Sequence, residues 1–133
     1  MKLGKQSRYA IEGLLVLAKK PFGTTMQLRD IAEIGDMPEN FLAKIFQKFN
    51  RAKLVTSSRG AVRGYALAQR AGNIRMKDIF LAIEGADVFE RCAFWSDRCA
   101  ESRPCPMHFH WKRAKATIAA LVQRTTLADL SRE

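Results

Sequence analysis

The sequence has no apolar run near the roughly 20 residues that a membrane-spanning helix needs, which excludes a helical integral membrane protein. Histidine is scarce, with His108 and His110 the whole supply. Cysteine stops at three, an odd number crowded between positions 92 and 105, too close together for a disulfide framework that staples distant segments. Acidic residues are missing between Glu39 and Asp78, a stretch that holds nine lysines and arginines. A small redox or metal enzyme should present a general base or a substrate pocket, yet both histidines lie in the same short segment as the cysteines. That class is set aside.

What is present is strongly basic. The net charge is +10, and residues 1–85 carry fifteen basic against seven acidic side chains, whereas residues 86–133 carry eight against six. The positive field therefore belongs to the first two-thirds of the chain, as expected of a surface that faces phosphates. A chain of 133 residues suits one compact domain with a small appended element and buries about two-thirds of its unfolded surface. The opening MKLGKQSRYAIEGLLVLAKK has the look of a signal peptide, but Glu12 interrupts its apolar part, and Lys19 and Lys20 stand where a small-residue cleavage site belongs. The expectation is a mature N-terminus and a cytoplasmic protein.

Periodicity then describes an architecture. Ala10, Ile11, Leu14, Leu15, Leu17 and Ala18 form one helical face, closed by Lys19, Lys20 and Pro21-Phe22-Gly23. Thr25 is placed to cap a short helix through Leu28, Ile31 and Ala32. Gly35-Asp36-Met37 turns the chain, and Pro38 suits the first position of a second helix. Two short helices about a tight turn make a helix-turn-helix. Phe41, Leu42, Ile45, Phe46 and Phe49 mark the core face of the second helix. Glu39, Asn40, Lys44, Gln47, Lys48 and Arg51 mark its other face, where Asn and Gln can pair with adenine edges and Lys with guanine or phosphate.

LVTSSRGAVRGYALA alternates about a turn-prone centre and predicts a β-hairpin with Arg59, Gly60, Arg63 and Gly64 at its tip. A hairpin after a helix-turn-helix is a wing, and Gln27, Ser58, Arg59 and Arg63 join the second helix as candidate DNA contacts. NIRMKDIFLAIEG predicts a helix through Ile74, Ile79, Phe80 and Ile83 that ends at Gly85. The fold class is therefore mainly α with a small β-hairpin. It comprises a winged helix-turn-helix domain over 1–85, a cysteine-rich loop over 86–106, and a long C-terminal dimerisation helix with its tail over 107–133. In that helix Trp111, Ala114, Ile118, Leu121 and Thr125 alternate three and four residues apart, a short coiled-coil-like seam for a homodimer, over whose end TTLADL folds back.

The cysteines are spaced Cys92-x6-Cys99-x5-Cys105, with His108 three positions further on. Structural zinc generally uses tight paired knuckles, which are absent here, and wide unequal gaps suit a cluster larger than one ion. A cluster-free thiol switch stays open beside it, because Arg91, Arg98 and Arg103 would favour a thiolate.

Taken in order, MKLGKQSRYAI, DIAEIGDMPENFLAKIFQKFNRAKLV, SSRGAVRGY, IRMKDIFLAIEG, the three cysteines and TLADL resemble the Rrf2-type bacterial winged-helix regulators that include IscR and NsrR. The resemblance covers nearly the whole chain. It implies a homodimeric, DNA-binding transcriptional regulator, a repressor of a double-stranded DNA operator, with an iron-sulfur cluster on the cysteines that match Cys92, Cys99 and Cys105. In the IscR-like branch the fourth ligand falls on His108. In the NsrR-like branch an acidic residue completes a 4Fe-4S cluster, but Arg8 occupies that position, and a guanidinium cannot ligate. Cys3His ligation and a 2Fe-2S cluster are therefore implied, with 4Fe-4S as the alternative and with His110 and Glu12 behind His108 as substitutes. The wing departs from the pattern, having Ala61, Val62 and Arg63 where small residues are common.

Overall fold

The structure is a computed structural model that describes residues 4–59, 63–86, 88–90 and 105–132. Helix α1 spans Lys5–Ala18, α2 Leu28–Gly35 and α3 Glu39–Arg51. Strands β1, Val55–Arg59, and β2, Arg63–Leu67, pair antiparallel in the register Val55 to Leu67 and Arg59 to Arg63. A 3-10 turn at Ala71–Asn73 leads into α4, Met76–Glu84, and the C-terminal part holds α5, His108–Arg124, and α6, Leu127–Ser131. This is a mostly helical winged-helix fold, as the periodicity implies.

The core forms where α1, α2, α3 and α4 turn their apolar faces inward. Leu14, Ile31, Leu42, Ile45, Phe46, Phe49, Ile74 and Ile79 are all 1% exposed or less, each such burial stabilising by about 1.5–3 kcal/mol before entropy is counted. Phe46 packs edge-on against both Phe49 and Tyr65, with ring centroids 5.5 and 5.1 Å away, which anchors α3 to the hairpin. Gly13 lets α1 and α3 come close, since a Cβ there would lie 2.8 Å from the Phe46 ring.

Two helix starts differ from the sequence reading. Thr25 does not cap α2; Gln27 does, with an extended backbone at φ −68° and ψ 143°. The cause is a short bridge in which Met26 pairs with Tyr65, holding the chain extended and delaying the helix. Pro38 sits one position earlier than expected, as the N-cap of α3, and its carbonyl accepts the Leu42 N–H at 3.0 Å. A proline ring already has the φ near −65° that this place requires.

The tail is stitched onto the winged unit. Met76 N donates to Thr125 O at 2.9 Å, Leu127 N to Ile74 O at 2.8 Å, and the Arg75 guanidinium to Gln123 O at 2.7 Å. Thr126 and Asp129 form a reciprocal capping box at the start of α6. Leu127 is fully buried in the same core as Leu14 and Ile31. Helix α5 thus runs out along α4, and α6 returns to the core.

Candidate nucleic-acid interface

The turn between α2 and α3 is made without glycine in the left-handed position. Asp36 takes φ 52° there, while Asp36 N and Met37 N donate back to Glu33 O and Ala32 O at 3.3 and 2.8 Å. These two bonds satisfy carbonyls that the helix end leaves open and aim the chain into α3. At the far end of α3 the same motif recurs, with Lys53 at φ 62° and Leu54 N donating to Phe49 O at 2.9 Å. Backbone geometry thus fixes the chain on both sides of α3.

With Leu42, Ile45, Phe46 and Phe49 fixed inward, the exposed side chains of α3 include Asn40, Lys44, Gln47 and Arg51. Their spacing of four, three and four residues puts them in one stripe opposite the core face. Glu39 is also exposed, at the first turn. Lys48 is turned away from the stripe: its ammonium donates to the Ile83 carbonyl at 3.3 Å and to Gln6 Oε1 at 3.2 Å.

The wing stands beside α3. Ser58, Arg59 and Arg63 are exposed, and Arg59 and Arg63 face each other across the strand pair. Like charges directly opposite on a hairpin are unfavourable, and an anion between them would offset the cost. The wing tip at 60–62 lies outside the described residues. A concavity of about 400 Å3 between α2, α3 and the hairpin has Gln27, Arg29, Glu39, Ser58, Arg63 and Tyr65 in its lining. Gln27, Glu39, Ser58 and Arg63, widely separated in sequence, thus converge on one surface.

Arg29 is the residue the sequence reading missed. It is exposed on the first turn of α2, and its guanidinium donates to Gln27 Oε1 at 3.4 Å. It stands at the positive end of the helix dipole, next to Asp30 in the same turn.

Of the cysteine-histidine set, Cys92 and Cys99 lie outside the described residues. Cys105 and His108 close one turn, with His108 N donating to Cys105 O at 3.0 Å, immediately ahead of α5. Cys105 is half-buried, and His108, 3% exposed, packs edge-on against Phe109 at 4.9 Å. The expected dimer seam divides in two. Trp111 and Ile118 pack with Val122 against Phe80 and Val88 of their own chain, while Ala114 and Leu121 are exposed, Leu121 by 50%. Among the described residues no helix is long and apolar enough to cross a membrane.

The family model described as Rrf2, an iron-dependent transcriptional regulator, matches residues 3–133. The chain belongs to the Rrf2 family. The transcriptional regulator IscR of Vibrio atlanticus is 28% identical over 133 residues, covering all of this chain and 76% of its own. Two solved structures share the fold throughout. CymR, the global cysteine regulator of B. subtilis, superposes with a TM-score of 0.81 at 27% identity, over 99% of this chain and 97% of its own. T. potens IscR gives a TM-score of 0.78 at 26% identity, over 99% of this chain and 87% of its own. As an Rrf2-family protein, the chain is a transcriptional regulator and not an enzyme.

Proposed function

We propose that the chain is a cytoplasmic homodimeric repressor that binds an operator in double-stranded DNA and whose affinity is set by an iron-sulfur cluster. The observation that carries the DNA-reading half is the convergence of Gln27, Glu39, Ser58 and Arg63 on one concavity beside the exposed stripe of α3. Asn40, Lys44, Gln47 and Arg51 would read base edges or phosphates in a major groove, and Arg59 and Arg63 would reach the adjacent backbone or minor groove. Ala114 and Leu121, exposed on α5, would meet the partner, which places two winged units on half-sites about one DNA turn apart.

The cluster would be held by Cys92, Cys99, Cys105 and His108. The two described members fit such a group: a thiol and an imidazole close one turn, and the imidazole is sheltered from water at the start of α5. A 2Fe-2S cluster suits this thiolate and imidazole set, with 4Fe-4S as the alternative. When bound, it supplies a link among the thiolates that oxygen, nitric oxide or iron shortage can remove. The chain's own part is mechanical. Ordering residues 90–110 beside α5 would fix how the two winged units are spaced, and the signal becomes a shift between competent and incompetent dimers.

Similarity to CymR, solved in an oxidized form from Staphylococcus aureus, favours a second reading, in which the same thiols act as a cluster-free redox switch. Anaerobic purification with iron and sulfide counting separates the two. Coloured protein whose operator affinity changes on cluster loss supports the first, and colourless protein that binds DNA and responds to thiol oxidation supports the second.

A further inference from the structure

On α3, Lys48 stands out of step with the stripe of Asn40, Lys44, Gln47 and Arg51. Its Nζ donates to the Ile83 carbonyl in the last turn of α4 at 3.3 Å and to Gln6 Oε1 at the start of α1 at 3.2 Å. The carbonyls of a final helical turn have no partner within the helix, and a cation there also meets the negative end of the dipole. Beside it, Ser7 Oγ donates to Glu84 Oε1 at 2.9 Å, with Ser7 only 3% exposed. The start of α1, the last turn of α3 and the last turn of α4 are thus tied at one place.

The apolar face of α3 fixes how deeply the helix sits, but side-chain packing alone leaves some freedom of roll about the helix axis. A charge-assisted bond from the flank of α3 to a carbonyl of another helix removes that freedom. Because the exposed stripe projects from the opposite side, the roll decides where those side chains meet base edges.

We infer that Lys48 is a positioning residue: it caps the C-terminus of α4 and thereby sets the roll of the recognition helix, without touching DNA. The inference rests on the DNA-binding reading above.

The test uses the full chain, a duplex that the wild-type protein selects from a random pool, and a non-specific duplex of equal length. Non-specific binding depends on phosphate contacts alone, and each lost contact lowers the slope of log affinity against log salt by about one. Lys48→Met should bind the selected duplex about tenfold more weakly, with the non-specific affinity and the salt slope unchanged. Lys48→Arg, which keeps the charge and the reach, should recover most of that loss. An equal loss on both duplexes with a reduced slope would make Lys48 a phosphate contact and overturn the inference, as would undiminished binding of the selected duplex by Lys48→Met. Urea unfolding confirms that each variant is folded, and Lys48→Gln replaces Lys48→Met in the same comparison if the latter is not. A wild-type protein that selects no duplex would sink the DNA-binding reading itself, before any variant is made.

Discussion

Met26 and Tyr65 exchange both of their backbone hydrogen bonds, Met26 N to Tyr65 O at 2.9 Å and Tyr65 N to Met26 O at 2.8 Å. That single pair lashes the wing to the segment leading into α2, so the two elements keep a fixed distance. It requires Gly64: at φ 154°, a Cβ there would overlap the Met26 carbonyl and lie 3.0 Å from Gln27 N. Gly64→Ala should push the Met26 segment away from β2, lowering stability by about 1–3 kcal/mol in urea unfolding and weakening operator binding further than the stability loss explains. An unchanged unfolding midpoint would show that the bridge does not hold the wing.

Lys53 ends α3 in the left-handed region at φ 62°, where a side chain costs roughly 1–2 kcal/mol. Its amide donates to Asn50 O at 3.1 Å, a bond that any residue's backbone can make. Lys53→Gly should therefore raise the stability by up to about 1 kcal/mol, after the greater unfolded-state freedom of glycine is deducted. Differential scanning calorimetry would read this as a higher Tm.

Arg29 and Arg63 line the same concavity, and both are exposed. Replacing either with Ala should weaken binding to all duplexes alike and reduce the salt slope by about one, the mark of a phosphate contact. Glu39→Gln should do the reverse for non-specific DNA. The Glu39 carboxylate repels phosphate wherever it is not matched to a donor on a base, so its loss should strengthen binding to unselected duplexes and narrow the gap to the operator. Fluorescence anisotropy at several salt concentrations separates these outcomes.

Much of this surface is legible in the sequence because helical periodicity is strong where one face must be buried. Leu42, Ile45, Phe46 and Phe49 announce α3, and the acid-free stretch announces what its other face meets. A single isolated pair such as Met26 with Tyr65 has no periodicity to announce it, so the pattern puts the cap of α2 at Thr25, two residues before Gln27. Lys48 reads as one more basic residue on a basic helix, since its partner is a backbone carbonyl 35 residues away. In α5 the three-four spacing is visible, and the half-buried Trp111 and Ile118 also pack within their own chain, a contact that spacing alone does not announce.

The return of α6 to the core has two measurable consequences. Leu127→Ala removes a fully buried side chain and should cost about 2–5 kcal/mol of the whole winged unit's stability, in one cooperative transition. The Asp129 carboxyl is held below its ordinary value of 3.8, chiefly by the Thr126 backbone N–H, then by its hydroxyl and by Arg132. A depressed carboxylate pKa contributes stability that is present above the unfolded value and lost as pH falls through the folded one. Asp129→Asn should therefore lower the stability near neutral pH and flatten its decline below about pH 4. If Leu127→Ala produced a separate early transition, α6 would be an independent unit.

His108 tests the proposed ligand set because its position permits two roles. At 3% exposure it could serve only as packing at the start of α5, and any substitution would then disturb stability regardless of a cluster. Val122 supplies the comparison: it is equally sheltered on the same helix, packs against Phe80 and Val88, and has no donor atom. If His108 is a ligand, His108→Ala should lose visible absorbance and iron after anaerobic purification, while Val122→Ala loses stability but keeps its colour. His108→Cys, which restores a soft donor at the same place, should recover part of the iron content with a shifted spectrum. Equal iron content in His108→Ala and Val122→Ala would leave the imidazole as packing alone and move the fourth ligand elsewhere. Cys105→Ser, one turn earlier, should match His108→Ala under the ligand reading, because losing either anchor opens the same side of the site.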